Sequence, residues 1–167
     1  MFKKLANNYK LSNIVVKIFF VVAYVLCKWQ ENLLIVTAFM PQQPLVTMII
    51  VSVLAAILIS IALPIVVSFA LSALRLYNVP RAEYTLIVQF FVACTYFVLG
   101  LLNLLNLAFP FLLGWSSTIV PLMVSLAAVI VFYKVTANLY FNDVTKVFYF
   151  KWIAILYVVI ALLLGVL

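Results

Sequence analysis

Four polar residues inside apolar segments have the type and spacing that could support chemistry within a membrane. Lys28 and Glu31 lie three positions apart, share a helix face and could form an ion pair. Asn103 and Asn106 have the same spacing on a later helix. Two interpretations of the amides remain open: hydrogen bonds between helices, at about 0.6–2 kcal/mol each, or the polar lining of a solute path.

Catalysis is not expected from these side chains. The chain has no histidine, and nothing in the sequence brings together its three acids, Glu31, Glu83 and Asp143, for acid–base work. The three glycines are isolated and form no phosphate-binding loop. Cys27 and Cys94 lack a metal-ligand spacing, so we interpret them as buried free thiols. The sequence therefore predicts no enzyme activity, no cofactor and no metal site.

The composition indicates an integral membrane protein. Of 167 residues, 70% are hydrophobic and only 8% are charged, and no polar stretch is long enough for a soluble domain. We expect residues 1–167 to form a single membrane domain. The net charge of +7 comes from cations beside apolar segments, where the positive-inside rule explains them better than nucleic-acid binding does.

The apolar runs predict an all-α, polytopic helix bundle. The basic tail and the run that follows resemble a signal peptide but lack a small-x-small cleavage pattern, so we keep this run as a membrane helix. Lys17 lies near its start, where a long side chain reaches the headgroups. The expected transmembrane helices span roughly 12–38, 45–77, 84–107, 118–140 and 147–167.

The end of the first helix has two interpretations. Either the helix ends near Cys27 and the Lys28–Glu31 pair lies in the outer interface, or the pair is within the membrane. Trp29 favours the interface, where aromatic residues are enriched, and a charge at the bilayer centre costs about 2.5–3.5 kcal/mol on insertion scales.

The stretch from Pro44 to Tyr77 is expected to be the central helix, because it is longer than the bilayer's hydrocarbon core of about 30 Å and carries no charge before Arg75. Small residues recur along it every four positions, which places neighbours on one face where helix backbones can approach closely. We expect this row to be a packing seam, with a kink at its proline. The row consists of Ser52, Ala56, Ser60, Pro64, Ser68 and Ser72.

The distribution of charge predicts five crossings with the N-terminus inside and the C-terminus outside. With that orientation the outer turns at 39–44 and 108–117 are uncharged, and most cations lie at the inner surface, as the positive-inside rule requires. The inner cations are Lys3, Lys4, Lys10, Arg75, Arg81, Lys134, Lys146 and Lys151.

The layout of residues 45–167 resembles the Yip family, the Ypt/Rab-interacting membrane proteins with five membrane helices. The central helix ends in a basic residue and a polar turn, SALRLYNVPRAEY, and the next helix has an aromatic-rich start, YTLIVQFFVACTYF. A later helix ends in VIVFYKVTANLYF, and a plain apolar helix follows. The short tail and compact loops resemble the bacterial members, which implies a bacterial cell membrane as the location.

Two functional hypotheses follow. The first is a scaffold or accessory subunit that lies in the lipid bilayer and binds another membrane protein, or a second copy of itself, through its helix faces. The second is a small transporter, channel or lipid-handling protein with the four polar residues along its path. Transporters of this kind usually have inverted repeats and broken helices, and the sequence offers only Pro64. We therefore favour the scaffold, and we identify no small-molecule substrate.

Overall fold

The computed structural model describes residues 9–39, 44–108 and 119–153, and every regular element in these ranges is an α-helix. Residues 1–8, 40–43, 109–118 and 154–167 lie outside the described residues, and with them most of the two expected outer turns and of the expected last helix. The helices are α1 (Tyr9–Phe39), α2 (Pro44–Ala73), α3 (Arg81–Ala108), α4 (Ile119–Tyr140) and α5, whose described part is 143–153.

Within the described ranges, four helices are long and apolar enough to cross a membrane. The prediction of an all-α membrane protein is confirmed at this level. The fifth crossing and the orientation of the chain stay predictions. The four spans are Ser12–Trp29, Leu45–Ala73, Arg81–Leu105 and Val120–Tyr140.

The chain divides into two compact units, Met1–Leu105 and Asn106–Leu167. This division does not decide the prediction of one membrane domain, which stays a prediction. In the first unit, three alanines and one aromatic ring form the centre of the core and are fully buried. Small side chains at that point let the three helices approach closely. These residues are Phe20 and Ala23 of α1, Ala56 of α2 and Ala93 of α3.

Aromatic rings align α1 with α3 in the first unit. The Phe19 ring lies 6.3 Å from that of Phe90 and 5.7 Å from that of Phe97, measured between centroids. Further along α1, the Tyr24 ring meets Tyr96 edge-on at 5.5 Å. Such tilted and edge-to-face pairs contribute about 0.5–1.5 kcal/mol beyond their buried area.

The helix α2 ends at Ala73, earlier than the sequence predicted. Leu76 N–H donates to the Leu71 carbonyl at 2.9 Å and Arg75 N–H donates to the Ser72 carbonyl at 3.1 Å. These two bonds form a Schellman motif, which requires a left-handed residue directly after the helix cap. Arg75 occupies that position with φ of 55°. The usual residue there is glycine, so this helix end could not be predicted from the residue type.

The helix α3 begins at Arg81, just after the proline of the turn. The Pro80 carbonyl accepts the first helical hydrogen bond, from Tyr84 N–H at 3.0 Å. Val79 and Tyr84 are both buried, at the positions where a hydrophobic staple fixes the chain's approach to a helix. Glu83 in the first turn complements the positive end of the helix dipole.

The second unit is held by a tyrosine between α4 and α5. The Tyr149 side chain is almost completely buried, and its hydroxyl lies 3.1 Å from Thr136 Oγ1. The Tyr133 hydroxyl donates to the Lys146 carbonyl at 3.2 Å, and the Tyr133 ring stacks on Tyr149. Through these hydrogen bonds and ring contacts, the start of α5 packs against the last turns of α4.

Candidate functional site

The row of small residues on α2 is buried over its first half. Ser52 and Ala56 have no exposed surface, and Ser60 is also buried. Further along, Pro64 is exposed and lies within the helix, while Ser68 and Ser72 are half-buried. The first half therefore contacts the other helices of the unit, and the second half is more open.

An amide of α1 binds the first serine of this row. Asn32 Nδ2 donates to Ser52 Oγ at 2.6 Å, and the same hydroxyl lies 3.7 Å from the Met48 sulfur, one turn earlier on α2. The hydroxyl thus accepts from one helix and donates within its own. This bond joins α1 to α2.

A second amide joins α3 to α2. Gln89 is 2% exposed, and its Nε2 donates to Ser60 Oγ at 2.6 Å. Pro64 cannot donate the helical hydrogen bond that the Ser60 carbonyl would otherwise accept, so the backbone hydrogen bonding of α2 is interrupted at this point. A side-chain hydrogen bond between helices in a membrane contributes about 0.6–1.7 kcal/mol.

A third amide joins α3 to α1, where their backbones approach closely. Asn103 Nδ2 donates to the Cys27 carbonyl at 3.1 Å. One turn earlier on α3, a Cβ added to Gly100 would lie 2.8 Å from Leu26 Cγ and 3.0 Å from Cys27 N. Glycine is therefore required for the helices to come this close. Asn103 is one of the predicted candidate residues, and the structure gives it a contact between helices.

Lys28 directly follows Cys27 on α1 and is half-buried. Its position relative to the membrane boundary stays a prediction. The alternative in which the helix ends near Cys27 is wrong, because α1 continues to Phe39.

Two candidate side chains lie outside the described part of the structure. Glu31 and Asn106 have helical backbones, and their side chains are not described. The proposed pairing of Lys28 with Glu31, and the role expected of Asn106, therefore stay predictions. The neighbouring Trp29 has a buried indole Nε1 without a hydrogen-bond partner among the described residues. A tryptophan at an interface ordinarily donates this bond to water or to headgroups.

Three contacts were not predicted from the sequence: those of Asn32 and Gln89, and the Thr136–Tyr149 pair. One signal was present: Gln89 is an amide in an otherwise apolar span, and such residues usually bind a neighbouring helix. The partners could not be named, because they depend on which helix faces meet.

The residues that could hold a metal or react as nucleophiles are dispersed. In the parts of the chain that the structure describes, no three His, Cys, Asp or Glu side chains come together as metal ligands. Neither cysteine forms a disulfide bond among the described residues; Cys27 is buried and Cys94 is half-buried. The chemistry that the described contacts show is hydrogen bonding between helices.

Comparison with known proteins adds no assignment. No protein-family model matches the chain, and neither a curated protein nor a solved structure matches it.

Proposed function

We propose that this chain is an integral membrane scaffold or accessory subunit that binds other membrane proteins through its outer helix faces. The observation that supports this proposal is that three amide side chains form hydrogen bonds between helices inside the first unit. They are Asn32, Gln89 and Asn103. Each donates to another helix of the same unit. These polar groups could have bound a solute, but they form the hydrogen bonds that join α1, α2 and α3.

The outer face of α2 supplies the surface for a partner. Its large apolar side chains are mostly not covered by other residues of the chain: Leu58, Ile65 and Phe69 are each more than 60% exposed. Such a face can contact lipid or the helix of another membrane protein, because association of helices within a bilayer depends on shape and packing and not on the release of water. An interaction protein needs a surface of this kind.

Photo-crosslinking in native membranes tests this proposal. A photoreactive residue at Phe69, on the exposed face, should give a crosslinked complex of fixed stoichiometry with another membrane protein. The same residue at the buried Ala56 should not, and is the matched control. A product that contains only this chain, together with solute uptake by reconstituted vesicles, would favour the transporter instead.

The proposal includes five crossings, with the N-terminus inside a bacterial cell membrane and the C-terminus outside. The clustering of cations in the predicted inner loops supports this orientation, and the Yip-like layout from 45 to 167 supports both the helix count and an interaction role. A cysteine placed at Leu167 should react with an impermeant reagent added outside intact cells. Reaction only after permeabilisation would refute the orientation without affecting the crosslinking result.

A further inference from the structure

The turn between α2 and α3 lies at one surface of the membrane in either orientation of the chain. One candidate span ends at Ala73 and the next begins at Arg81, so residues 74–80 connect two consecutive crossings. A short connection of this kind leaves and re-enters the bilayer on the same side, at the level of the lipid headgroups. The position of the turn therefore follows from the two spans that it joins.

Backbone hydrogen bonds and buried apolar side chains fix the shape of this turn. The Schellman motif ends α2, and Val79 N–H then donates to the Leu76 carbonyl at 3.4 Å. Leu71, Val79 and Tyr84 are buried and anchor the turn to the first unit. The exposed polar and aromatic side chains of residues 75–81 are Arg75, Tyr77, Asn78 and Arg81.

Arg75 occupies a conformation that its residue type disfavours. Its φ is 55°, and in the described ranges it is the only residue other than glycine with a positive φ. Glycine adopts this region freely, whereas a residue with a Cβ is strained there, and such strain is common where a side chain binds a ligand. The helix end requires only a left-handed backbone at this position. The exposed guanidinium group at headgroup level therefore points to a binding role.

The two arginines make the turn a site for an anion. No described residue forms an ion pair or hydrogen bond with either guanidinium group. Glu83 is the one acid of residues 74–83 and is half-buried, so the exposed charge of the turn is positive. A guanidinium group binds phosphate through paired N–H donors. Tyr77 is 70% exposed beside them, and tyrosine is enriched at the level of the headgroups.

We infer that Arg75 and Arg81, together with Tyr77, bind the phosphate of an anionic phospholipid in the adjacent leaflet. The guanidinium groups contact the phosphate, and the tyrosine ring lies among the headgroups. Phosphatidylcholine carries a cation beside its phosphate, so the site should prefer phosphatidylglycerol, which does not. This inference goes beyond the proposed scaffold function and does not depend on which side of the membrane the N-terminus occupies.

Native mass spectrometry tests which lipid stays bound to the full chain after its release from nanodiscs of phosphatidylcholine and phosphatidylglycerol in equal amounts. The unchanged chain should retain phosphatidylglycerol in preference to phosphatidylcholine. Arg75→Gly should reduce this preference about fivefold, which is the contribution of one cation near a membrane surface. Arg81→Gln should reduce it to a similar extent. Arg75→Lys keeps the charge and should reduce it less.

Arg75→Gly separates lipid binding from folding, because it relieves the strained conformation. This variant should melt at the same temperature as the unchanged chain or higher, so unfolding cannot explain a lost lipid preference. Lys134→Gln is the matched control, since it removes an exposed cation of the second unit. It should leave the preference for phosphatidylglycerol unchanged.

Three results would overturn the inference. One is a preference for phosphatidylglycerol that survives in both Arg75→Gly and Arg81→Gln. Another is an equal loss in Lys134→Gln, which would show a general attraction to exposed cations. The third is displacement of bound phosphatidylglycerol by inorganic phosphate but not by chloride at equal ionic strength, which would assign the site to a soluble phosphate. Photo-crosslinking at Phe69 depends on none of these results, so the two proposals fail separately.

Discussion

Asn103 on α3 donates a hydrogen bond to the backbone carbonyl of Cys27 on α1, at 3.1 Å. A backbone acceptor is unusual here, because that carbonyl lies inside a helix. The bond forms because Gly100, one turn away, has no side chain and allows the α3 backbone to approach Cys27. The amide and the glycine thus act together at one crossing of two helices.

Loss of this bond should destabilise the first unit. Asn103→Leu keeps a similar volume and removes the donor, so we expect unfolding in detergent to become easier by about 0.6–2 kcal/mol. Denaturant titration measures the change. Asn138→Leu on α4 is the matched control, since Asn138 is exposed, and it should change stability little. Equal effects of the two substitutions would show that the Asn103 bond contributes nothing specific.

The buried half of the α2 row should not tolerate larger side chains. Ser60 is buried and accepts a bond from Gln89, so Ser60→Leu both overfills the contact and removes the acceptor. We expect a loss of about 1–3 kcal/mol, seen as a lower melting temperature in detergent. Ala62→Leu adds similar bulk on the exposed face and should be neutral. An unchanged melting temperature for Ser60→Leu would mean that this face of α2 is not a packing seam.

The left-handed residue after α2 offers a stabilising substitution. Arg75 has φ of 55°, a conformation that glycine adopts freely and that β-branched residues strongly resist. Arg75→Gly should therefore raise stability by about 0.4–1 kcal/mol, and Arg75→Val should lower it by more than that. Melting temperatures measured in parallel give the order. Equal stability of Arg75→Val and Arg75→Gly would show that residue 75 is not left-handed and that α2 does not end in a Schellman motif.

A double-mutant cycle distinguishes the two interpretations of Lys28 and Glu31. For an interfacial pair, water solvates whichever charge is left, so the coupling energy should be below about 1 kcal/mol. For a pair within the membrane, either single change to Ala leaves an uncompensated charge and should cost about 3–5 kcal/mol. We expect weak coupling, as is usual for solvent-exposed ion pairs. Strong coupling would make this pair the leading functional site.

The helices could be predicted because each depends on local composition. The apolar runs placed α1 and α4 within a few residues of their observed bounds. The errors lie where a particular residue sets the boundary. Arg75 ends α2 in a conformation typical of glycine, and Pro80 starts α3 earlier than its apolar run suggested. Arginine is an unusual residue in that role. Proline is a frequent boundary residue, and it indicated the turn without giving the first helical residue.

The polar contacts could be predicted only in part. Asn103 was recognised as a candidate because its amide lies in an apolar span, yet its acceptor, the Cys27 carbonyl, carries no sequence signal. The Gln89–Ser60 bond joins α3 to α2, and it depends on which helix faces meet. Helix periodicity gives the faces of a single helix and does not determine their partners.

Access of water to Gln89 tests the central claim most directly, which is that the polar side chains hold the helices together and do not line a solute path. In a chain with Cys27 and Cys94 changed to Ala, a cysteine is placed at Gln89, and another, as a control, at the exposed Asn78. A charged, water-soluble thiol reagent is then added from each side of the membrane. The account predicts that Asn78→Cys reacts and that Gln89→Cys stays unreactive from both sides. Rapid reaction at Gln89→Cys would show an aqueous path through the first unit and would contradict the account.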